Sequence, residues 1–118
     1  METKTLRILL ADDNRDSRSA LALLLETRLD ATIVGEALTM ESLLEQVTLT
    51  HPDVVLLDWE LPGKPTADRL LLLRSFMPET RVIVVSARPE AAVQATEADA
   101  FVNKTDPPER ILAVLKGW

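Results

Sequence analysis

Apolar positions along this chain follow two rhythms. Short unbroken runs rich in branched residues, LRILLA at 6–11, VVLL at 54–57 and RVIVVSA at 81–87, read as strands buried in a parallel sheet. ATIVGEA at 31–37 and DAFVNK at 99–104 read as two weaker strands. Between these runs the apolar residues recur at helical spacing. Leu21, Leu24, Leu25 and Leu29 mark one helix face, Leu43, Leu44 and Val47 a second, and Leu70, Leu73 and Phe76 a third. The last helix has the fullest start signal, with Asp106 at the N-cap, Pro107 at N1 and Glu109 at N3, ahead of an apolar face of Ile111, Leu112 and Leu115. Five strands alternating with five helices over short loops predict an α/β domain, a parallel sheet covered on both faces. Ligands of such sheets bind beyond the carboxyl ends of the strands. Any chemistry should therefore sit where the apolar runs stop.

Composition narrows the classes. With 118 residues and 47% hydrophobic content the chain has the size and apolar mass of a single domain over positions 1–118. Thirteen basic against nineteen acidic residues give a net charge of −6, with no basic cluster to face nucleic acid or an anionic membrane. No cysteine is present, which removes disulfides, thiolate metal sites and cysteine nucleophiles. No run approaches the ~18–20 apolar residues needed to span a bilayer, and the start lacks a secretory signal. The expectation is a soluble, cytoplasmic domain.

The strand ends then supply a set of reactive groups. The first strand ends in Asp12 and Asp13, the third in Asp58, the fourth in Ser86, and the fifth runs into Lys104. Singly, each is most simply a solvated turn residue or a helix cap. Collected at one sheet edge, three carboxylates repel: two unit charges at 4 Å oppose each other by about 4 kcal/mol at an effective dielectric of ~20. The cluster must raise its pKa values or recruit a cation. Oxygen-only donors favour a hard ion, Mg²⁺ or Mn²⁺. Lys104 opposite that ion would complete a pocket for a doubly charged phosphoryl group, with the Ser86 hydroxyl as a further donor.

LLADDN, VVLLDWELPG, VIVVSA and AFVNK, in that order, resemble the response-regulator receiver domain of bacterial two-component signalling. IVGEA and KTDPPERI are similar to the subgroup that precedes a helix-turn-helix DNA-binding domain. The resemblance implies a CheY-like, flavodoxin-like (βα)5 fold with a doubly wound five-stranded sheet of order 2-1-3-4-5. It implies that Asp58 accepts a phosphoryl group from a sensor histidine kinase, that Asp13, Asp58 and the backbone carbonyl of Glu60 bind Mg²⁺ directly, and that Asp12 holds it through water. Ser86 matches the hydroxyl that turns toward the phosphoryl group, Lys104 its ion-pair partner, and Phe101 the aromatic switch position. The module would change conformation to control a C-terminal effector domain or an output protein, with homodimerisation as one route. Its only catalysis would be self-phosphorylation from phosphodonors and self-dephosphorylation, and it would not contact nucleic acid or membrane itself.

Several positions depart from that pattern. Ser86 and Lys104 are 18 positions apart, shorter than the family interval, and the intervening RPEAAVQATEADA has no large apolar anchor. A fourth helix starting near Pro89 should therefore be short or irregular. Thr66 stands where the family often has glycine, so the loop after Asp58 should take another path, with Thr66 capping the third helix. Thr105 follows Lys104 where proline is common, and a trans bond is expected there. His51 reads as a surface residue. Trp59 reads as packing over the loop, with a kinase-facing contact or a lid as alternatives, and Trp118 has no partner visible in the sequence. Glu60 and Arg88, two residues beyond Asp58 and Ser86, are placed to influence water attack on an aspartyl phosphate.

Two other functions remain open at this level. A phosphohydrolase of the haloacid-dehalogenase type also uses an aspartate nucleophile with Mg²⁺, but prefers Asp where this chain has Glu60. A receiver-like interaction module that is never phosphorylated would not require intact acids, Ser86 and Lys104.

Overall fold

A computed structural model of the protein describes residues 5–118. Five strands, β1 (Leu6–Ala11), β2 (Ala31–Ala37), β3 (Val54–Asp58), β4 (Arg81–Ser86) and β5 (Ala100–Asn103), form one parallel sheet in the order β2-β1-β3-β4-β5. The helices are α1 (Arg15–Arg28), α2 (Met40–Thr50), α3 (Ala67–Phe76), α4 (Ala91–Gln94) and α5 (Glu109–Lys116). This is the doubly wound arrangement that the sequence predicts, with the strand order that the resemblance implies.

The period of two along each strand divides the core into two layers. Leu9, Ala11, Val55, Leu57, Val82 and Val84 face α2, α3 and α4, where Met40, Leu43, Val47, Leu70 and Leu73 close the layer. Ile8, Leu10, Val54, Leu56, Ile83 and Val102 face α1 and α5, meeting Leu25, Ile111, Leu112 and Leu115. β3 is buried at every position, because it is the middle strand and has helices on both sides. Each buried Val, Leu or Ile contributes about 1.5–3 kcal/mol of burial free energy. The centre that carries Asp58 is thus the most firmly fixed part of the sheet.

Two helical expectations need correction. Phe76 is 52% exposed, not part of the buried face of α3. At about 100° per residue, Met77 returns to within about 20° of Leu70 while Phe76 lies about 120° away. Met77 accordingly packs against the core with Leu70 and Leu73. The start of α5 also differs. Asp106 does not cap the helix: its carboxylate turns back to accept the Asn103 N–H at 3.2 Å, and α5 begins at Glu109 after Pro108. The N–H of Arg110 bonds the Pro107 carbonyl at 2.9 Å, so the prolines lead into the helix through an i→i+3 turn.

Other departures follow the expected course. α4 is a single turn of four residues without a side-chain cap. Thr66 caps α3, its hydroxyl accepting the Arg69 N–H at 3.2 Å. The loop before it turns at Gly63 (φ +91°) and lies on the start of α2, where Met40 N–H bonds the Pro62 carbonyl at 2.8 Å. At this φ an L side chain is strained, and its Cβ would also stand 3.0 Å from the Met40 Cβ, so the path favours glycine. All peptide bonds among the described residues are trans. His51 is exposed and ends α2 in the left-handed region. Trp118 packs against the α1/α5 layer, and the Arg81 guanidinium lies 5.1 Å over its ring. No helix among the described residues is long and apolar enough to cross a membrane.

Candidate functional site

The carboxyl ends of β1, β3, β4 and β5 converge, as parallel strands with short loops require. β1 stops at Asp12 because the chain must turn into α1. The Asp12 N–H still bonds the Ala37 carbonyl at the end of β2, and its carboxylate accepts the Asn14 N–H at 2.9 Å. Asn14 in turn caps α1 through Ser17 N–H. Arg18 reaches back from the first turns of α1 to the Asp12 carbonyl at 2.9 Å while pairing with Glu36. Asp12 is therefore buried and fixed, while its neighbour Asp13 is exposed.

Asp58 closes β3 at 4% exposure. One carboxylate oxygen accepts the Glu60 N–H at 2.9 Å, and the other receives the Lys104 ammonium at 2.9 Å. Lys104 is aimed by its backbone, whose N–H bonds the Ser86 carbonyl, and by the Asn103 turn, where the Asn103 amide oxygen takes both donors of Thr105. Ser86 is fully buried at the end of β4. Its hydroxyl donates to the Glu60 carboxylate at 3.1 Å and accepts the Arg88 N–H at 3.1 Å. Arg88 Nε also grips the same Glu60 oxygen at 2.8 Å. Phe101 lies opposite Val84 on β5, half-buried against the α2/α3/α4 layer.

Charge shapes this pocket. Burial pushes the Asp12 carboxyl up from its ordinary value; the Asn14 hydrogen bond and Lys104 oppose the rise, while Asp58 and Asp13 add to it. Burial alone would lower Lys104, but the hydrogen bond and charge of Asp58 outweigh it and leave the ammonium above its usual value. Oxygens of Asp12, Asp13 and Asp58 lie within 4.8 Å of one another. At ligand distances of about 2.0–2.1 Å, two oxygens on one Mg²⁺ stand at most about 4.2 Å apart, so small side-chain rotations suffice to share an ion. An all-carboxylate donor set fits a hard divalent cation and does not suit a soft one.

A stability prediction follows from Asp12. A carboxyl raised on folding favours the folded state most below its unfolded pKa, and that contribution is lost as pH rises through the folded value. At neutral pH, in the presence of a chelator, Asp12→Asn should melt above the wild type, since the amide keeps an acceptor for Asn14 N–H without the buried charge. The gap should close as pH falls toward 3.8. A pH-independent difference in thermal melts would contradict this account.

Every residue singled out in the sequence at the strand ends is brought to this edge: Asp12, Asp13, Asp58, Ser86 and Lys104, with Glu60 and Arg88 on the rim. Trp59 is neither a lid nor an exposed contact. It is 4% exposed in the core beneath α4, and its indole N–H donates to Gln94 at 3.2 Å. Sequence reasoning missed Arg18, Asn14 and Gln94. Asn14 carried a readable signal, a cap residue ahead of a helical pattern. Arg18 and Gln94 reach partners through tertiary folding and had none.

Known proteins resemble this chain in sequence and in fold. The chain is 33% identical over 115 residues to the sensory transduction protein LytT of Bacillus subtilis, covering 96% of this chain and 48% of that protein. It is 35% identical over 112 residues to the nitrate/nitrite response regulator protein NarL of Escherichia coli, covering 92% and 52%. It thus spans about half the length of these curated relatives. Among solved structures, the signal receiver domain of the putative response regulator NarL from Mycobacterium tuberculosis superposes with a TM-score of 0.84 at 29% identity, over 98% of this chain and all of that one. A LuxR-family two-component response regulator from Aurantimonas gives 0.88 at 25% identity, over 97% and 84%. With the response regulator receiver domain model matching residues 8–116, the chain belongs to that family.

Proposed function

We propose that this domain is a phosphoacceptor switch: Asp58 takes a phosphoryl group from a sensor histidine kinase, and the resulting change of shape controls an output domain or partner protein. The observation that carries this reading is the position of Asp58, buried at a strand end, paired with Lys104 and within reach of two further carboxylates. An Asp58 oxygen attacks phosphorus, the P–N bond of the kinase phosphohistidine breaks, and the imidazole leaves with the electron pair. An ionised carboxylate needs no general base. Phosphoryl transfer depends on positioning and charge neutralisation, which is what these residues offer.

Asp12, Asp13, Asp58 and the Glu60 backbone carbonyl are the residues that would hold Mg²⁺ or Mn²⁺. Bound there, the ion supplies positive charge against the incoming phosphoryl oxygens. Lys104 neutralises the remaining side, Ser86 donates a hydrogen bond, and Phe101 follows the movement of Ser86 at the adjoining strand. The domain acts on itself only and works in the cytoplasm.

The test is incubation with Mg²⁺ and acetyl phosphate followed by intact mass measurement. One base-labile phosphoryl group per chain is expected, formed as the P–O bond breaks and acetate departs. Multiple turnover of aryl phosphates would point instead to a hydrolase, and the absence of any adduct to an interaction module.

A further inference from the structure

A hydroxyl has one hydrogen to give. In this structure Ser86 has already given it, and to the wrong acceptor for the role proposed above. The Ser86 hydroxyl is fully buried, donates to a Glu60 carboxylate oxygen at 3.1 Å, and accepts from the Arg88 N–H. The direction is fixed by chemistry: an ionised carboxylate only accepts, and a backbone N–H only donates. Glu60 does not hold Ser86 alone. Its same oxygen is gripped by Arg88 Nε at 2.8 Å, so three groups on two loops close into one small network. Glu60 is also tied to Asp58 through its own N–H. One residue therefore touches both the acceptor carboxylate and the hydroxyl that would respond to it.

We propose that the Glu60–Arg88 ion pair is a latch on the switch hydroxyl. Glu60 competes with an Asp58-bound phosphoryl group for the single hydrogen of Ser86. Rotation of that hydroxyl toward Asp58 requires the Glu60 bond to break, while Arg88 keeps Glu60 in place whether or not Ser86 is attached. A phosphoryl group carries more charge than a carboxylate and sits closer to Lys104, so it can win the competition. The unphosphorylated state is nevertheless favoured by whatever the latch contributes, and apparent affinity for a phosphoryl mimic is reduced by the fraction of molecules held in it. Glu60 is in this sense a positioning residue, acting on the reaction through Ser86. The inference rests on the phosphoacceptor reading of Asp58.

Beryllofluoride with Mg²⁺, a mimic of the phosphoryl group on a carboxylate, supplies the test. Its affinity is measured by titration for the wild type, Glu60→Gln and Glu60→Ala, each with and without Ser86→Ala. Removing the Glu60 charge can tighten anion binding by electrostatics alone, and both Glu60 variants share that effect. Glu60→Gln keeps an oxygen that can accept from Ser86, whereas Glu60→Ala does not. The latch predicts that Glu60→Ala binds about tenfold tighter than Glu60→Gln, equivalent to about 1.4 kcal/mol. It also predicts that this difference vanishes in the Ser86→Ala background, where no hydroxyl remains to be released. Equal affinities of the two Glu60 variants, or a difference that persists without the hydroxyl, would overturn the latch while leaving the acceptor reading intact. A wild-type protein that binds no beryllofluoride would overturn the acceptor reading itself. Because Glu60 and Arg88 side chains are both partly solvent-exposed, the variants lose no core packing, and the amide variant keeps the shape of the loop.

Discussion

Asp58→Asn should all but abolish phosphoryl labelling and leave the fold intact. The amide is neutral and nearly isosteric, so β3 keeps its packing and the Glu60 N–H keeps an oxygen to bond. What disappears is the carboxylate proposed as the nucleophile. Labelling by acetyl phosphate should fall at least about a hundredfold, equivalent to about 2.7 kcal/mol of lost transition-state stabilisation. Neither neighbour can take over at the wild-type rate. Asp12 is tied to the Asn14 N–H and set by Arg18, and Asp13 is exposed; among the described residues it is Asp58 that Lys104 pairs with. Thermal stability should change little. Lys104 loses an ionic partner, but its side chain is 37% exposed and water replaces much of the contact, while relief of repulsion around Asp12 works the other way. Intact mass and peptide mapping after acetyl phosphate treatment check both halves. An adduct of wild-type stoichiometry on Asp12 or Asp13 would assign the nucleophile elsewhere.

How far such a site can be read from sequence depends on the range of the interactions that build it. The strands were legible because burial on both faces leaves a local mark, an unbroken branched apolar run. The rule that parallel sheets bind at their carboxyl ends then gathers Asp12, Asp13, Asp58, Ser86 and Lys104 from sequence alone. Thr66 was legible for the same local reason, a hydroxyl three residues ahead of the N–H it caps. The start of α5 differs from the sequence reading because the Asn103 N–H, at the end of β5, takes the Asp106 carboxylate that the helix would have used. Phe76 was misread because i, i+3 and i+6 drift off a helix face that i+7 regains. The Glu60–Ser86–Arg88 network joins residues 26 and 28 positions apart across two loops, and no spacing rule encodes it. The shortness of α4 could be inferred from its alanines and its missing anchor. What fills the space could not, since Trp59 reaches Gln94 over 35 positions.

Trp59 supplies the largest stability effect expected from a single side chain. It is 4% exposed and belongs to the same core layer as Ala91 and Ala95, the two buried residues of the α4 segment. A four-residue helix without a side-chain cap cannot hold itself in water, because nucleation costs more than one turn of hydrogen bonds returns. The indole provides what α4 lacks: apolar area in the core layer its alanines share and an N–H bonded to Gln94. Trp59→Ala should therefore cost about 3–5 kcal/mol in urea unfolding, a large fraction of the 5–15 kcal/mol typical of a whole domain. Trp59→Phe, which keeps most of the ring area but loses the hydrogen bond, should cost about 1–2 kcal/mol, and Gln94→Ala about 0.5–1.5 kcal/mol. Hydrogen exchange separates local from global loss. The Ala95 N–H, bonded to the Ala91 carbonyl at 2.8 Å, should lose protection in Trp59→Ala under conditions where β3 and β4 amides keep theirs. Because the Trp59 backbone N–H bonds the Val85 carbonyl, between the strand ends that bear Asp58 and Ser86, melting α4 should also loosen the spacing of those two groups and slow labelling of Asp58. A Trp59→Ala protein that loses less than about 1 kcal/mol and keeps Ala95 protected would show that α4 stands without the indole.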